Sequence, residues 1–317
     1  MGYWMMENKE KNFVSAVIYV HNAENRIEKF LDAIIKVMES SFEHSEIICV
    51  NDCSDDESAS VIKNISERAS LTSISVINMS FFHGLELSMD AGMDLAIGDF
   101  VFEFDNTDLD FDPEMIMKIY RHALTGFDIV SASPNKKERL SSKIFYEVFN
   151  RFSELPYDMT TESFRILSRR VINRISSMNK MIPYRKAIYA GSGLKTKNFK
   201  YCAVCADDRK KDSKETRYRA SLAVDTLILF TEVGYRFSFW MTSLMMLISV
   251  AMLVYTLAVY FIGHPLEGWT TTVLFLSVAF LGLFGIQTVI VKYLQIIVDM
   301  VFKRQHYNFA SVEKLTK

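Results

Sequence analysis

Two long stretches without a charged residue constrain this 317-residue chain more than any other feature of it. Residues 239–262 and 269–291 contain 24 and 23 residues with no Asp, Glu, Lys or Arg. With a rise of about 1.5 Å per residue, each would form a helix about 35 Å long, enough to cross a hydrocarbon core of about 30 Å. The short connector between them predicts a transmembrane hairpin. The alternative is a pair of core helices, but these rarely lack charge over about 20 residues.

The charged flanks of the hairpin predict its orientation. Basic residues lie outside both stretches, and the connector has none: Arg217, Arg219, Arg236, Lys292, Lys303 and Arg304. By the positive-inside rule, both outer flanks are expected in the cytoplasm. The first dozen residues are polar and lack an apolar signal core, so we expect the first 235 residues to stay in the cytoplasm as well. The predicted location is the cytoplasmic (inner) membrane, multi-pass, with both termini cytoplasmic.

Composition excludes several other classes of protein. Half of the residues are apolar and the formal net charge is -2, which excludes a disordered chain and a nucleic-acid binder with bulk positive charge. We therefore expect no nucleic-acid partner. Four scattered Cys are too few for a disulfide framework, which favours a reducing compartment.

Strand and helix patterns alternate over the first 235 residues. Short runs rich in β-branched and aromatic residues predict five strands, at 14–20, 46–50, 73–79, 99–104 and 127–132. Amphipathic helical patterns separate the earlier strands. This alternation predicts βαβ units, and hence an α/β fold with a mostly parallel sheet flanked by helices. In such sheets the ligand binds beyond the carboxyl ends of the strands.

Polar clusters follow three of these predicted strands, at residues 21–24, 51–56 and 105–114. Because the carboxyl ends of parallel strands meet at one edge, we expect these clusters to converge. Carboxylates and substrate phosphates are the ligands that Mg²⁺ and Mn²⁺ prefer, so the clusters indicate a divalent cation on a diphosphate. Taken singly, each cluster has an alternative as turn or helix-cap chemistry, as in Asp112-Pro113-Glu114.

Several segments carry a resemblance to a known family. Residues 14–24 are similar to a VSVVIPVYNEE strand, 51–56 to a DDGSTD turn, and 106–114 to a DADLQDPPE metal motif. Residues 164–170 are similar to DFRLLSRR, and 215–218 to a GESKY turn. On these segments the chain resembles a family 2 GT-A glycosyltransferase of the polyprenyl-phosphate type, similar to dolichyl-phosphate mannose synthase, with a C-terminal transmembrane hairpin.

The resemblance implies a domain organisation. The expected parts are an N-terminal tail (1–12), a cytoplasmic GT-A nucleotide-diphospho-sugar transferase domain (13–218), an amphipathic interfacial helix (219–237), the two transmembrane helices (239–262 and 269–291) and a cytoplasmic tail (292–317). A buried domain helix is the alternative for the interfacial segment. A homo-oligomer, either a dimer or a tetramer, is also implied by the resemblance.

The resemblance further implies inverting transfer of a sugar from a nucleotide sugar, a UDP-sugar by preference, to polyprenyl (undecaprenyl) phosphate. The metal-dependent site would hold Mg²⁺ or Mn²⁺ through Asn106, Asp108 and Asp110. Catalytic roles fall on Asp108, Glu162 and Arg165. The donor would be bound by Val20, Asn22, Glu24, Asp52, Gly84 and Asn106. The acceptor phosphate would contact cations near the membrane, namely Arg139, Lys143, Lys211 and Arg217.

Among the departures from the family pattern, Asn51, Asn106 and Ser163 stand where acidic residues are usual. A hydroxyl acceptor needs a general base, whereas a phosphate monoester, with a second pKa of about 6, is already ionised at neutral pH. Ser163 therefore favours a phosphate acceptor. Two alternatives remain: transfer to a hydroxyl of a lipid-linked saccharide, and a catalytically silent membrane scaffold that retains the fold.

Overall fold

The computed structural model of the chain divides into two compact units. The first comprises residues 1–150, 155–222 and 305–317, and the second comprises 151–154 and 223–304. The residues that the structure describes are 9–135, 140–152, 159–177, 184–203, 213–230 and 309–314, with scattered helical positions between 240 and 297.

The described part of the first unit is built on one eight-stranded sheet with the order β7-β5-β6-β4-β1-β2-β3-β8. In chain order the strands are β1 (Val14–Val20), β2 (Ser45–Asn51), β3 (Ser73–Met79), β4 (Phe100–Phe104), β5 (Ile129–Pro134), β6 (Phe164–Ser168), β7 (Thr196–Tyr201) and β8 (Phe309–Lys314). The central strands β4, β1, β2 and β3 are all parallel to one another. β6 is antiparallel to both β4 and β5, and β8 is antiparallel to β3. The predicted α/β fold with a mostly parallel sheet is confirmed.

Helices cover both faces of this sheet. In chain order, the described helices of the chain are α1 (Glu24–Ser41), α2 (Ser58–Ser66), α3 (Leu85–Leu95), α4 (Glu114–Leu124), α5 (Leu140–Phe152), α6 (Arg169–Ser177), α7 (Arg185–Gly191) and α8 (Ser213–Phe230). One apolar cluster contains buried residues of α1, α2 and α4, and a second contains those of α3, α6 and α7. The sheet therefore separates two hydrophobic cores.

The central strand β1 shows why the sequence folds in this way. All seven of its residues are buried, and alternate side chains enter opposite cores. Ala16 and Ile18 pack in the core of α1, whereas Val17 and Tyr19 pack in the core of α3. A parallel strand covered on both faces has no polar face, so its sequence is a nearly continuous apolar run.

The local patterns predicted the first five strands to within about two residues at either end. The position of β6 was not predicted, and this strand separates β4 from β5. Pairing of β8 with β3 joins residues more than 200 positions apart, which no local pattern contains. Strand order depends on packing against neighbours, and for that reason short-range patterns find strands more reliably than they order them.

No helix among the described residues is both long enough and apolar enough to cross a membrane. The two predicted transmembrane stretches, 239–262 and 269–291, lie largely outside these residues. The predicted interfacial helix overlaps α8, which begins earlier, at Ser213, and is described as far as Phe230. Residues 231–237 of that segment lie outside the described part of the chain.

Gly92 provides a test of how α3 packs on the sheet. A Cβ atom at Gly92 would lie 2.4 Å from Cγ1 of Val17 and 2.8 Å from Cγ2 of Val50. Replacing a glycine within a helix by alanine usually stabilises a protein, but here the added methyl group would clash with the side chains of β1 and β2 and force α3 away from the sheet. We expect Gly92→Ala to lower the free energy of unfolding by about 1–3 kcal/mol. Denaturant unfolding of the purified protein measures this, and a more stable variant would contradict the packing.

Candidate active site

The loops after β1 and β2 are bonded to each other at one edge of the sheet. The backbone N–H of Asn22 donates to Oγ of Ser54 at 3.1 Å, and Oδ1 of Asn22 accepts from the N–H of Asp55 at 2.9 Å. Asn22 and Cys53 have positive φ values of 46° and 50°, in the left-handed region that tight turns require. These bonds fix both loops where the carboxyl ends of the central strands meet.

Two other predicted donor-site residues belong to the same edge. Val20 is fully buried, and its carbonyl oxygen accepts from the N–H of Asp52 at 2.9 Å. Glu24 begins α1 and bonds to the β2 loop in both directions: its N–H donates to Asp56, and its carboxylate accepts from the N–H of Glu57. Both residues are therefore placed at the predicted edge and shape its backbone.

Asp52, a predicted donor ligand, is fully buried and bonded to the loop after β3. Its Oδ1 accepts from the N–H of His83, and its Oδ2 accepts from the N–H of Gly84, both at 2.8 Å. The hydroxyl of Tyr19 donates to Oδ2 at 3.0 Å, and burial followed by the charge of Asp52 raises the pKa of Tyr19. Asp52 thus fastens the β3 loop to the edge.

Gly84 brings α8 to the same edge. Its φ is +83°, and a Cβ atom there would lie 2.3 Å from the ring of Tyr218 on α8. The residue that precedes Tyr218, Arg217, is exposed. Arg217, predicted to bind the acceptor, therefore directly precedes the residue that packs against Gly84, which is predicted to bind the donor.

The predicted metal ligands follow β4, the strand beside β1. Oδ1 of Asn106 accepts from the N–H of Asp108 at 2.8 Å. Oδ1 of Asp108 accepts from Nη1 of Arg26 at 2.7 Å, and Oδ1 of Asp110 accepts from the hydroxyl of Tyr201 at 2.8 Å. Within the described ranges, no three His, Cys, Asp or Glu side chains form a group that could hold a metal ion.

The chemistry of this loop nevertheless fits a divalent cation whose ligands come partly from the protein and partly from a substrate. Asn106 and Asp108 offer the oxygen ligands that Mg²⁺ and Mn²⁺ prefer. Asp108 already accepts a cation as its partner, the guanidinium of Arg26. Mg²⁺ is commonly held by one or two carboxylates and completed by substrate phosphates. The loop therefore fits a metal bound together with a diphosphate better than a metal held by the protein alone.

A buried ion-pair network lies directly before this loop. Arg165 of β6 is fully buried, with Nη1 2.7 Å from Glu103 and Nη2 2.8 Å from Asp105. Its Nε donates to Glu162 at 3.0 Å. Arg165 and Glu162 were both predicted to be catalytic residues, and the structure places them in contact. The three hydrogen bonds of Arg165 given above all go to carboxylates of the protein.

Arg185, the first residue of α7, joins the same network. Its guanidinium donates to Glu86 at 2.9 Å, to Glu103 at 2.8 Å and to Asp105 at 3.0 Å. Lys186 lies 3.7 Å from Asp105. Burial raises the pKa of Asp105, but the charges of Arg165, Arg185 and Lys186 outweigh it and hold this pKa well below its usual value. Asp105 is therefore a fixed anion next to Asn106.

Two of the predicted acceptor-binding cations are described, and two are not. Lys143 is exposed on α5, and Arg217 is exposed on α8. Arg139 and Lys211 lie outside the described residues. The roles of all four stay predictions. Ser163, directly before β6, is hydrogen-bonded to the hydroxyl of Tyr201, with the two oxygens 2.7 Å apart, and the same Tyr201 hydroxyl contacts Asp110.

Sequence reasoning missed Arg26, Glu86, Glu103 and Arg185, although some signals existed. Glu103 interrupts an otherwise apolar strand, and a carboxylate there needs a buried cation. Arg26 lies in the first turn of α1, where the helix dipole disfavours a positive charge, so a compensating anion was to be expected. Nothing local identifies that anion as Asp108, because it follows a different strand.

Neutralising Asp105 tests the network. We expect Asp105→Asn to lower the free energy of unfolding at pH 7 by about 3–5 kcal/mol, because two buried arginines lose a charged partner. The lowered pKa means that this contribution is present above the unfolded value of about 3.9 and is lost as the pH falls below it. The difference between variant and wild type should therefore shrink on acidification.

Thermal unfolding of the purified protein between pH 7 and pH 3 measures this effect. Asp55→Asn is the matched control, since the ion pair of Asp55 with Lys214 is exposed. The control should change stability by less than about 1 kcal/mol. Equal effects of the two substitutions would show that the buried network does not stabilise the fold.

Comparison with known proteins gives the family. The glycosyl transferase family 2 model matches residues 15–178. An uncharacterized glycosyltransferase of Synechocystis is 26% identical over 287 residues, 87% of this chain and 86% of that protein. The bactoprenol glucosyl transferase of Shigella phage SfV is 27% identical over 289 residues, 87% of this chain and 90% of that protein.

A solved mannosyltransferase from Pyrobaculum calidifontis, in complex with GDP-Man and Mn²⁺, is 14% identical over 86% of this chain and 87% of that one, with a TM-score of 0.49. That likeness carries no weight for ligand or activity. The match of the family model to more than half of the chain does decide the matter of family, and it agrees with the mostly parallel sheet expected of a GT-A fold. The chain belongs to glycosyl transferase family 2.

Proposed function

We propose that this chain transfers a sugar from a nucleotide sugar to a polyprenyl phosphate at the cytoplasmic face of a membrane. The observation that carries the proposal is the meeting of the loops after β1, β2 and β4 at one sheet edge. This edge occurs in a family 2 chain that aligns over 87% of its length with a bactoprenol glucosyl transferase. We take a UDP-sugar as the donor, on the resemblance of the sequence.

The donor would lie across the edge, with its diphosphate near Asn106 and Asp108. A divalent ion held there would supply Lewis-acid stabilisation of the charge that develops on the departing nucleoside diphosphate. The chain itself contributes rigid loops, because Asn22 joins the β1 and β2 loops and Asp52 joins the β2 and β3 loops. Loops fixed in advance need little reorganisation when the donor binds.

The surroundings of β6 favour a phosphate acceptor over a hydroxyl acceptor. Ser163 stands where the family resemblance places a carboxylate, and its hydroxyl is hydrogen-bonded to that of Tyr201. Its neighbour Glu162 accepts a hydrogen bond from the buried Arg165. An ionised phosphate monoester can attack the anomeric carbon without a general base, provided that cations hold it. Lys143 and Arg217 are our proposed cations among the described residues.

We also propose that the two uncharged stretches form a membrane hairpin. The described positions between 240 and 297 are helical, and several carry large exposed apolar side chains. Trp240 is 71% exposed, Leu247 68% and Leu283 59%. Exposed apolar side chains in such number are typical of surfaces that lipid or a partner covers. We propose lipid, because both uncharged stretches are long enough to span a bilayer.

The activity can be tested with the full-length protein purified in detergent. The protein is incubated with undecaprenyl phosphate, Mg²⁺ or Mn²⁺ and a panel of UDP- and GDP-sugars, and the extracted lipid is analysed by mass spectrometry. We expect one donor to give a glycosylated polyprenyl phosphate. Nucleotide binding without any glycolipid would instead favour the silent scaffold, and product formed only on a lipid-linked saccharide would favour the hydroxyl acceptor.

Two substitutions distinguish the roles of the site carboxylates. We expect Asp108→Asn to lower turnover about 100-fold or more, because it removes the charged ligand at the leaving group. Glu162→Gln should retain near wild-type turnover, because the amide oxygen can still accept from Arg165 and no base is needed. Initial rates of glycolipid formation provide the measurement.

Asp112→Asn is the matched control for these variants. Asp112 is exposed in the same loop and accepts a hydrogen bond from the N–H of Glu114, which an asparagine can also do. Its turnover should equal that of the wild type. A collapse of activity in Glu162→Gln as deep as that in Asp108→Asn would restore a carboxylate base, and with it a hydroxyl acceptor.

A further inference from the structure

Arg26 bridges two loops of the site. It lies in the first turn of α1, which follows β1, and its Nη1 is 2.7 Å from Oδ1 of Asp108, which follows β4. Its Nη2 also donates to the carbonyl oxygen of Asn22 at 3.4 Å. Since β1 and β4 are adjacent parallel strands, both loops leave the sheet at the same edge. A permanently charged guanidinium group therefore contacts one oxygen of Asp108, the carboxylate that the sequence predicts as a metal ligand.

This ion pair differs in kind from those of the buried network. The side chain of Arg26 is 36% exposed and that of Asp108 is 21% exposed, against 1% for Arg165 and 7% for Arg185. Partly exposed pairs contribute little free energy, so exchange of the partners is inexpensive. A guanidinium cannot lose its proton under ordinary conditions. Arg26 must therefore move, rather than become neutral, before a metal ion can take the oxygen that it contacts.

We propose that Arg26 is the resident cation of Asp108 in the nucleotide-free protein and moves to the donor's diphosphate when a divalent ion takes Asp108. This inference rests on the proposed function. The charges of Arg26 and Asp108 balance each other, so Asp108 has a cation as its partner while the nucleotide and the metal ion are absent. A diphosphate matches the planar fork of a guanidinium and also supplies oxygen ligands to the ion.

The proposal makes metal binding conditional on the nucleotide. A metal ion alone would displace Arg26 from Asp108 without offering it another anion. A nucleoside diphosphate offers that anion, so the metal and the nucleotide should each strengthen the binding of the other. By linkage, the factor is the same in both directions. Arg26 is thus a positioning residue whose removal should uncouple the two ligands.

Binding of Mn²⁺ to the full-length protein tests this, with free Mn²⁺ measured by electron paramagnetic resonance in the absence and presence of UDP or GDP. For the wild type we expect the nucleotide to tighten Mn²⁺ binding about tenfold or more. Arg26→Gln should bind Mn²⁺ alone about two- to fivefold more tightly, because Asp108 is released from its ion pair. The same variant should bind the nucleotide about tenfold more weakly and show less coupling.

Arg68→Gln is the matched control, because Arg68 makes exposed ion pairs with Glu28 and Asp32 of α1, the helix that also carries Arg26. Its affinities should equal those of the wild type. Arg26→Lys keeps the charge without the planar fork and should retain part of the coupling. If Arg26 had a purely structural role, the Arg26→Gln substitution would not raise the affinity for Mn²⁺.

Two results would count against the inference in different ways. If Arg26→Gln binds Mn²⁺ with the affinity and coupling of the wild type, Arg26 does not compete for Asp108, and the proposed function stands without this inference. If the wild type binds neither UDP nor GDP with or without Mn²⁺, the proposed function fails and the inference fails with it. Circular dichroism of each variant shows whether it is folded.

Discussion

The burial of two arginines among carboxylates is the constraint on which the edge of the sheet depends. Arg165 and Arg185 both bond to Glu103 and Asp105. Glu103 lies in β4, Asp105 directly follows it, and the two arginines lie in β6 and α7. Charges taken out of water are tolerated only when they are paired, so these elements have to assemble together. Asp105 lies immediately before Asn106, and the network therefore also determines where the metal-motif loop leaves the sheet.

A rigid network beside an exchangeable ion pair suits the chemistry proposed for this protein. The buried arginines are bonded to several carboxylates at once, whereas Arg26 and Asp108 are joined by a single, partly exposed contact. The first arrangement keeps the loops in place without a ligand. The second would open, as we propose, when a diphosphate and a metal ion bind. Asp105 of the buried network and Asp108 of the exchangeable pair are only three residues apart in the chain.

Local patterns in the sequence were sufficient to find most of the elements and to predict that three polar clusters converge at one edge of the sheet. Asn22, Asp52 and Asp108 meet at one edge because the strands before them are parallel neighbours, as the βαβ alternation indicated. The partners of these residues could not be inferred in the same way. Arg185 approaches Glu103 from 82 positions away, and Tyr201 approaches Asp110 from 91 positions away, distances over which no local periodicity operates.

The sequence by itself determined the fold class, the family motifs and the two uncharged stretches, because each depends on residue type and spacing over a few turns or strands. Only the tertiary structure decided that β6 lies antiparallel between β4 and β5, that Arg165 is buried under carboxylates, and that Arg26 contacts Asp108. These features arise from packing between segments distant in the chain. The free energy of a buried or shared charge depends on which groups surround it, and that neighbourhood exists only after the chain has folded.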